Sequence, residues 1–170
     1  MDKIYVTYEE VHKLMKKVAD EIKQDNWHPD CIVGISGGGL IPVRILRNYI
    51  KKDIYIVGLK RYTDENETHE IPIKIQWIDE VEKKIKGKKI LLVDEIDDTR
   101  ITLTYCLKEL LKYDPEEIRV AVIHQKIKDK KTSFPDGINV IYEGREVPDK
   151  WIIYPWDAHD IDEHNKICNG

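Results

Sequence analysis

The chain has 170 residues, 41% hydrophobic and 35% charged, with a formal net charge of −4. That length suits a single domain, residues 1–170, able to bury about two thirds of its unfolded surface. The acidic balance argues against a nucleic-acid partner, and no run approaches the ~18 apolar residues of a membrane span.

Met1-Asp2-Lys3-Ile4 opens no signal-peptide apolar region. Cys31, Cys106 and Cys168 are scattered and odd in number, forming neither a CxxC pair nor a disulfide framework. A cytoplasmic protein in a reducing compartment is expected.

Thr7 followed by Glu10 reads as a capping box, with the Glu10 side chain reaching back to the cap. Val11, Leu14, Met15, Val18 and Ile22 then follow at helical spacing to about Lys23. Cys31, Ile32, Val33, Gly34 and Ile35 form a short buried strand, and Ser36, Gly37, Gly38 and Gly39 follow directly. A helix over 40–50 comes next, with Pro42 tolerated in its first turn. Strand, glycine turn and helix is the arrangement in which backbone N–H groups can approach a phosphate, although any tight turn into a helix favours glycine. The spacing fits neither GxGxxG nor GxxxxGK[ST], so neither a dinucleotide site nor a P-loop is indicated.

Residues 54–59 predict another strand. Residues 60–70 are polar, lack periodicity and predict a long mobile loop, while 71–77 alternate like an amphipathic strand. The charge run over 83–89 reads as a solvated turn. A helix over 101–113 ends before Asp114-Pro115, and Val120, Ala121, Val122 and Ile123 form a further buried strand. Residues 138–142 and 151–154 look like two short strands joined by a polar turn. Buried strands alternating with helices predict an α/β protein with a mainly parallel sheet, and the last 40 residues read as a small β-rich appendage.

The chemistry concentrates in residues 90–103. Ile90, Leu91, Leu92 and Val93 form an apolar strand, and Asp94, Glu95, Asp97 and Asp98 follow within five residues. Ligands of open α/β sheets bind beyond the carboxyl ends of strands. Adjacent acids suit hydroxyl groups or a hard cation such as Mg²⁺. Asp98, Thr99, Arg100, Ile101 and Thr102 lead into the helix, where backbone N–H groups, two hydroxyls and the helix dipole suit a phosphate. Acids for a diol beside a phosphate turn describe a ribose-5-phosphate site. Two other readings remain: Asp and Thr are ordinary N-caps, and acids end strands in receiver domains and phosphatases.

The 90–103 stretch resembles the phosphoribosyl-diphosphate (PRPP) signature of type I phosphoribosyltransferases: apolar strand, two acids, two spacers, then Asp-Thr and a later Thr. Residues 33–42 resemble that family's diphosphate loop. Residues 120–126 resemble the strand that ends in the lysine of its 6-oxopurine members. Residues 147–157 resemble the purine-binding hood of the short xanthine–guanine and fungal hypoxanthine–guanine enzymes. The similarity spans nearly the whole chain, in order.

The resemblance implies the type I phosphoribosyltransferase fold, with a small hood formed mainly by about 130–170. It implies purine salvage: a 6-oxopurine base (hypoxanthine, guanine or xanthine) plus PRPP gives the nucleoside 5′-monophosphate and diphosphate, with Mg²⁺ as cofactor, in a homodimer or homotetramer. Asp94 and Glu95 would hold the ribose hydroxyls, directly or through Mg²⁺, and Asp157 would be a second metal contact. Asp98 would meet the purine N7 as the catalytic acid or base. Thr99, Arg100, Ile101 and Thr102 would cradle the 5′-phosphate, and Ser36 and Gly37 would grip the diphosphate, often through a non-proline cis peptide. Lys126 would donate to the purine O6, Trp151 would stack on the ring, and the Ile152 backbone would meet its exocyclic edge. The alternative is a PRPP- or purine-sensing regulator of the same fold that does not turn over.

The chain departs from the family pattern at three points. Arg100 stands where most members carry Gly, which implies either an ordinary φ < 0 turn or an added cation over the phosphate. Gly37 replaces a frequent Lys or Arg, so charge at the diphosphate must come from elsewhere. Arg61 stands where many 6-oxopurine enzymes carry Ser.

Overall fold

Ile90, Leu91, Leu92 and Val93 are fully buried because successive residues of their strand feed opposite cores. Leu91 and Val93 belong to one apolar cluster, Ile90 and Leu92 to the other. A strand covered on both faces carries such a continuous apolar run instead of an alternating one.

The computed structural model describes residues 2–63 and 70–170. In chain order its elements are β1 (Lys3–Tyr5), α1 (Tyr8–Gln24), β2 (Cys31–Ser36), α2 (Leu40–Ile50), β3 (Ile54–Thr63), β4 (Glu70–Gln76), α3 (Val81–Ile85), β5 (Lys89–Asp97), α4 (Ile101–Leu111), β6 (Glu117–Ile127), β7 (Ile141–Pro148), β8 (Trp151–Ile153), a 3-10 turn (Pro155–Asp157) and α5 (Ile161–Asn169). The six-stranded sheet runs in the order β4-β3-β2-β5-β6-β7. Its pairings are parallel except for β3 with β4.

On one face, Met15 of α1 and Leu46 of α2 pack with Val93 and Ile123. On the other, Ile85 of α3 and Leu107 of α4 pack with Leu92 and Val122. The connection over 128–140 contains no helix; its Phe134 and Ile138 cover the second core instead. Thr7 caps α1 by accepting from the Glu10 N–H at 3.1 Å. The Glu10 carboxylate does not complete the predicted box and bonds Arg145 across the surface at 3.0 Å.

Several boundaries differ from the sequence expectation. β5 runs on through Asp97, paired with β6 as far as Asp97↔Gln125, so its acids lie on the strand and not beyond it. β3 continues to Thr63, claiming the start of the predicted 60–70 loop, while 64–69 lie outside the described residues. The 83–89 charge run holds the end of α3 and the first residue of β5.

The C-terminal expectation needs the larger correction. Residues 141–148 form a full strand of the main sheet, parallel to β6. Trp151, Ile152 and Ile153 pair with Lys3, Ile4 and Tyr5 of β1 and not with the preceding strand. α5 was not expected at all. Asp160 caps it by accepting from Asp162 N and Glu163 N, and the buried His164 ring bonds Val6 O at 2.7 Å, tying α5 to the segment after β1.

Candidate active site

The carboxyl ends of β2, β5 and β6 converge on one cleft. The turn after β2 is held against β5 by close backbone approach: an added Cβ on Gly39 would lie 2.8 Å from Val93 O, and one on Gly38 would overlap the Glu95 carboxylate. At Gly39, where the neighbours are fixed backbone atoms, only glycine fits, and a larger residue at Gly38 would displace the Glu95 carboxylate. The Ser36–Gly37 peptide is cis. The glycine turn and the two acids therefore form one wall.

Asp94 is 8% exposed, and its Oδ1 accepts the Glu95 N–H at 2.8 Å. Burial first, and the neighbouring Glu95 charge second, push its pKa well above the usual carboxylate range. Two crowded, hard oxygen donors are the chemistry that a Mg²⁺ ion relieves, and Mg²⁺ commonly completes its shell with water and substrate phosphate. Asp94 and Glu95 fit such an ion as a partial set. Among the described residues no third His, Cys, Asp or Glu joins them. Asp157 is exposed, at the end of the 3-10 turn that follows β8.

The turn into α4 overturns the expected φ < 0 at Arg100. Its φ is +73°, so a non-glycine residue holds the left-handed conformation. The guanidinium is engaged within the protein: Nη2 donates to Asp97 Oδ2 at 2.7 Å, Nε to Oδ1 at 3.3 Å, and Cζ stacks 4.0 Å from the Phe134 ring centre. Asp97 is fully buried and also accepts from Gln125 Nε2 at 3.2 Å. Lys130 Nζ binds the carbonyls of Asp97, Asp98 and Lys126 at 2.9, 3.1 and 2.8 Å. Left-handed backbone at a non-glycine residue costs of order 1 kcal/mol and persists where surroundings over-determine it. Here a buried ion pair and an aromatic stack do so. Thr99, Arg100, Ile101 and Thr102 line a cavity of about 170 Å³ with Arg61, Asp94, Glu95 and Asp98.

The β6 side supplies the cations. Lys126, 6% exposed, lies 3.3 Å from Asp98 Oδ2 and 3.4 Å from Asp149 Oδ1. Lys128 bridges the same two acids at 2.9 and 3.2 Å. Burial works to raise the Asp98 pKa, but the Lys128 and Lys126 ammonium groups outweigh it and hold it below the usual value. Two residues past Asp149, Trp151 is 58% exposed, while the Ile152 side chain is buried and its backbone joins β1.

A model of the phosphoribosyl transferase domain matches residues 3–160. Xanthine phosphoribosyltransferase 1 of Saccharomyces cerevisiae is 38% identical, over 99% of this chain and 96% of the relative. The hypoxanthine-guanine phosphoribosyltransferase of the same yeast is 37% identical, over 98% and 91%. The chain belongs to the phosphoribosyltransferase family. A Neisseria gonorrhoeae protein solved with bound ppGpp superposes with a TM-score of 0.92 at 44% identity, covering 99% of this chain and 96% of that one. The mainly parallel sheet flanked by helices is the type I phosphoribosyltransferase fold, and its relatives are enzymes.

Several residues of this phosphoribosyltransferase site carry no signal in the sequence. Lys128, Lys130 and Asp149, just past the ends of β6 and β7, are brought by the fold to Asp97 and Asp98, and no motif marks them individually. His124 and Tyr154 are similar. The Tyr154 hydroxyl donates to Glu95 O at 3.3 Å, so it accepts from His124 Nδ1 at 2.9 Å, and the buried His124 Nε2 has no hydrogen-bond partner among the described residues.

Burial, aided by Arg145, lowers the His124 pKa from 6.5 to about 4. Between those pH values the unfolded chain takes up a proton that the folded chain refuses, so stability falls as pH falls. Urea unfolding is expected to show roughly 3 kcal/mol lost to this group from pH 6.5 to 4. A His124→Phe variant should lack that part of the slope; an unchanged slope would remove His124 from the account.

Proposed function

We propose that this chain is a purine-salvage transferase that joins a 6-oxopurine base to the ribose of PRPP, giving the nucleoside 5′-monophosphate and diphosphate. The observation that carries the reading is Lys126 Nζ set 3.3 Å from Asp98 Oδ2 beside the phosphate turn. A 6-oxopurine presents an O6 acceptor next to an N7–H donor, and an ammonium beside a carboxylate is the complement of that edge. Adenine would turn an amino donor toward Lys126, leaving two donors face to face. The two yeast relatives are named for xanthine and for hypoxanthine and guanine, which supports the oxo class without ranking its members. The ppGpp bound by the Neisseria gonorrhoeae protein combines purine, ribose and phosphates, which supports a purine-nucleotide site in this architecture.

In this reading N9 bonds to C1′ as the bond from C1′ to diphosphate breaks, through an oxocarbenium-like ribose. The N7 proton passes to Asp98, whose carboxylate its two lysines keep ionised. Asp94 and Glu95 hold the ribose hydroxyls. Thr99, Ile101 and Thr102, with the main chain of Arg100, receive the 5′-phosphate at the start of α4, and Ser36 and Gly37 grip the diphosphate. Trp151 stacks on the base, and β8, the 3-10 turn and α5 form the hood over it. Mg²⁺ held by Glu95 and Asp94 would supply positive charge to the leaving diphosphate. No nucleophilic residue is required; the protein aligns N9 with C1′.

The exposed Ile71, Ile73 and Ile75 of β4 support assembly as a homodimer or homotetramer. No described helix is long and apolar enough to cross a membrane. The three free cysteines suit a cytoplasmic setting.

Nucleotide formation should be followed with PRPP, Mg²⁺ and each of hypoxanthine, guanine, xanthine and adenine. Product with at least one oxo base and none with adenine is expected. PRPP binding without product from any base would favour the sensor.

A further inference from the structure

The turn after β2 reaches the site without a cation of its own: Ser36 is followed by three glycines and Leu40. An added Cβ on Gly37 would meet nothing within 4 Å, so the wall there is open as well as uncharged. Arg100 does not compensate, since its guanidinium is bound to Asp97. The lysines of β6 and the segment after it gather around Asp97, Asp98 and Asp149, on the base side.

Arg61 is placed differently. Gly58 of β3 is the residue opposite Ser36 in the β2–β3 ladder, and Arg61 stands three residues further along β3. Its Nη1 donates to Thr99 Oγ1 at 3.1 Å. Thr99 belongs to the turn after β5, and β2 lies between β3 and β5 in the sheet. A side chain reaching from β3 to that turn must cross the carboxyl end of β2, where Ser36 and Gly37 sit. Arg61 also lines the same cavity as Asp94, Glu95 and Asp98. Its charge reaches far enough to act against the rise in the Asp94 pKa.

We propose that Arg61 is the diphosphate-binding cation of this enzyme, supplying from β3 the charge that the turn after β2 lacks. The inference rests on the purine-transfer reading. When PRPP enters, the guanidinium exchanges the Thr99 hydroxyl for diphosphate oxygens, which its planar fork can meet in pairs. It then stabilises the charge that grows on the leaving group as the bond to C1′ breaks.

The test compares Arg61→Ser with the double variant Gly37→Lys, Arg61→Ser, which returns a cation from the side of the β2 turn. Steady-state kinetics with hypoxanthine would be paired with calorimetric binding of PRPP and, separately, of inosine 5′-monophosphate. The nucleotide has the 5′-phosphate but no diphosphate. Arg61→Ser is expected to lower kcat/KM for PRPP about 10²-fold. PRPP binding should weaken while the nucleotide holds within about threefold, and the double variant should regain at least about tenfold. Unchanged PRPP kinetics, an equal loss for the nucleotide, or a double variant no better than Arg61→Ser would each overturn the assignment. A wild-type protein that binds PRPP but makes no nucleotide would overturn purine transfer instead, and the binding comparison would still decide the role of Arg61.

Discussion

Asp98→Asn is expected to lower kcat for nucleotide formation about 10²–10⁴-fold, the span attributed to a positioned acid or base. The affinity for PRPP should change by less than about threefold, because the turn before α4 and Asp94 and Glu95, the groups proposed to hold its phosphate and ribose, are untouched. The asymmetry follows from the geometry. The Asp98 carboxylate faces Lys126 and Lys128, the side proposed to receive the base. Its main-chain carbonyl is held by Lys130, so turn geometry does not depend on the side-chain charge. Asn keeps the shape, and its amide cannot take the N7 proton. Equal loss of PRPP affinity and turnover would instead place Asp98 in the phosphate site.

The second large effect is expected at Asp97, which touches no substrate. Its carboxylate is fully buried and accepts from Arg100 and Gln125, with Lys130 at 3.5 Å. Asp97→Ala leaves a guanidinium and an ammonium largely out of water without a counter-charge, a defect that costs about 3–5 kcal/mol. Thermal unfolding should move down by roughly 10 °C for a chain of this size. KM for PRPP should rise in the same variant, because the left-handed turn at Arg100 loses its anchor.

Arg100→Gly separates the two effects. Glycine adopts φ = +73° without penalty, so KM for PRPP should stay within about threefold while stability still falls by about 2 kcal/mol from the half-emptied ion pair. If Arg100→Gly raised KM as much as Asp97→Ala, the guanidinium itself would have to meet the substrate.

The sequence carried the order of the elements well, because its signals are local. The apolar run at β5, the periodicity of α1 and the three glycines before α2 each report a strand, a helix face and a tight turn. The acids at 94, 95 and 98 were legible for the same reason, lying within five residues at one strand end. The pairing of β8 with β1 joins residues almost 150 positions apart, and nothing in a three-residue strand names its partner. β7 was short-changed because Glu143, Arg145 and Glu146 interrupt its apolar signal, although as an edge strand it can expose charge. The Asp160-x-x-Glu163 spacing, with Ile161, His164 and Ile167 at helical intervals after Asp160, offered the signal for α5.

Arg100 misled for a physical reason. Its local preference is φ < 0, and what holds it at φ > 0 is a buried carboxylate three residues earlier and a phenyl ring 34 residues later. Neither restraint shows in a motif. The same logic hid Lys128 and Lys130, which become site residues only because β6 lies beside β5.

The most direct test is stoichiometric. Diphosphate release from PRPP should be measured with and without hypoxanthine, alongside nucleotide formation, at saturating Mg²⁺. The structure predicts release that depends on the base and matches nucleotide one for one. Release at the same rate without base, or base and PRPP both bound with neither product formed, would contradict it.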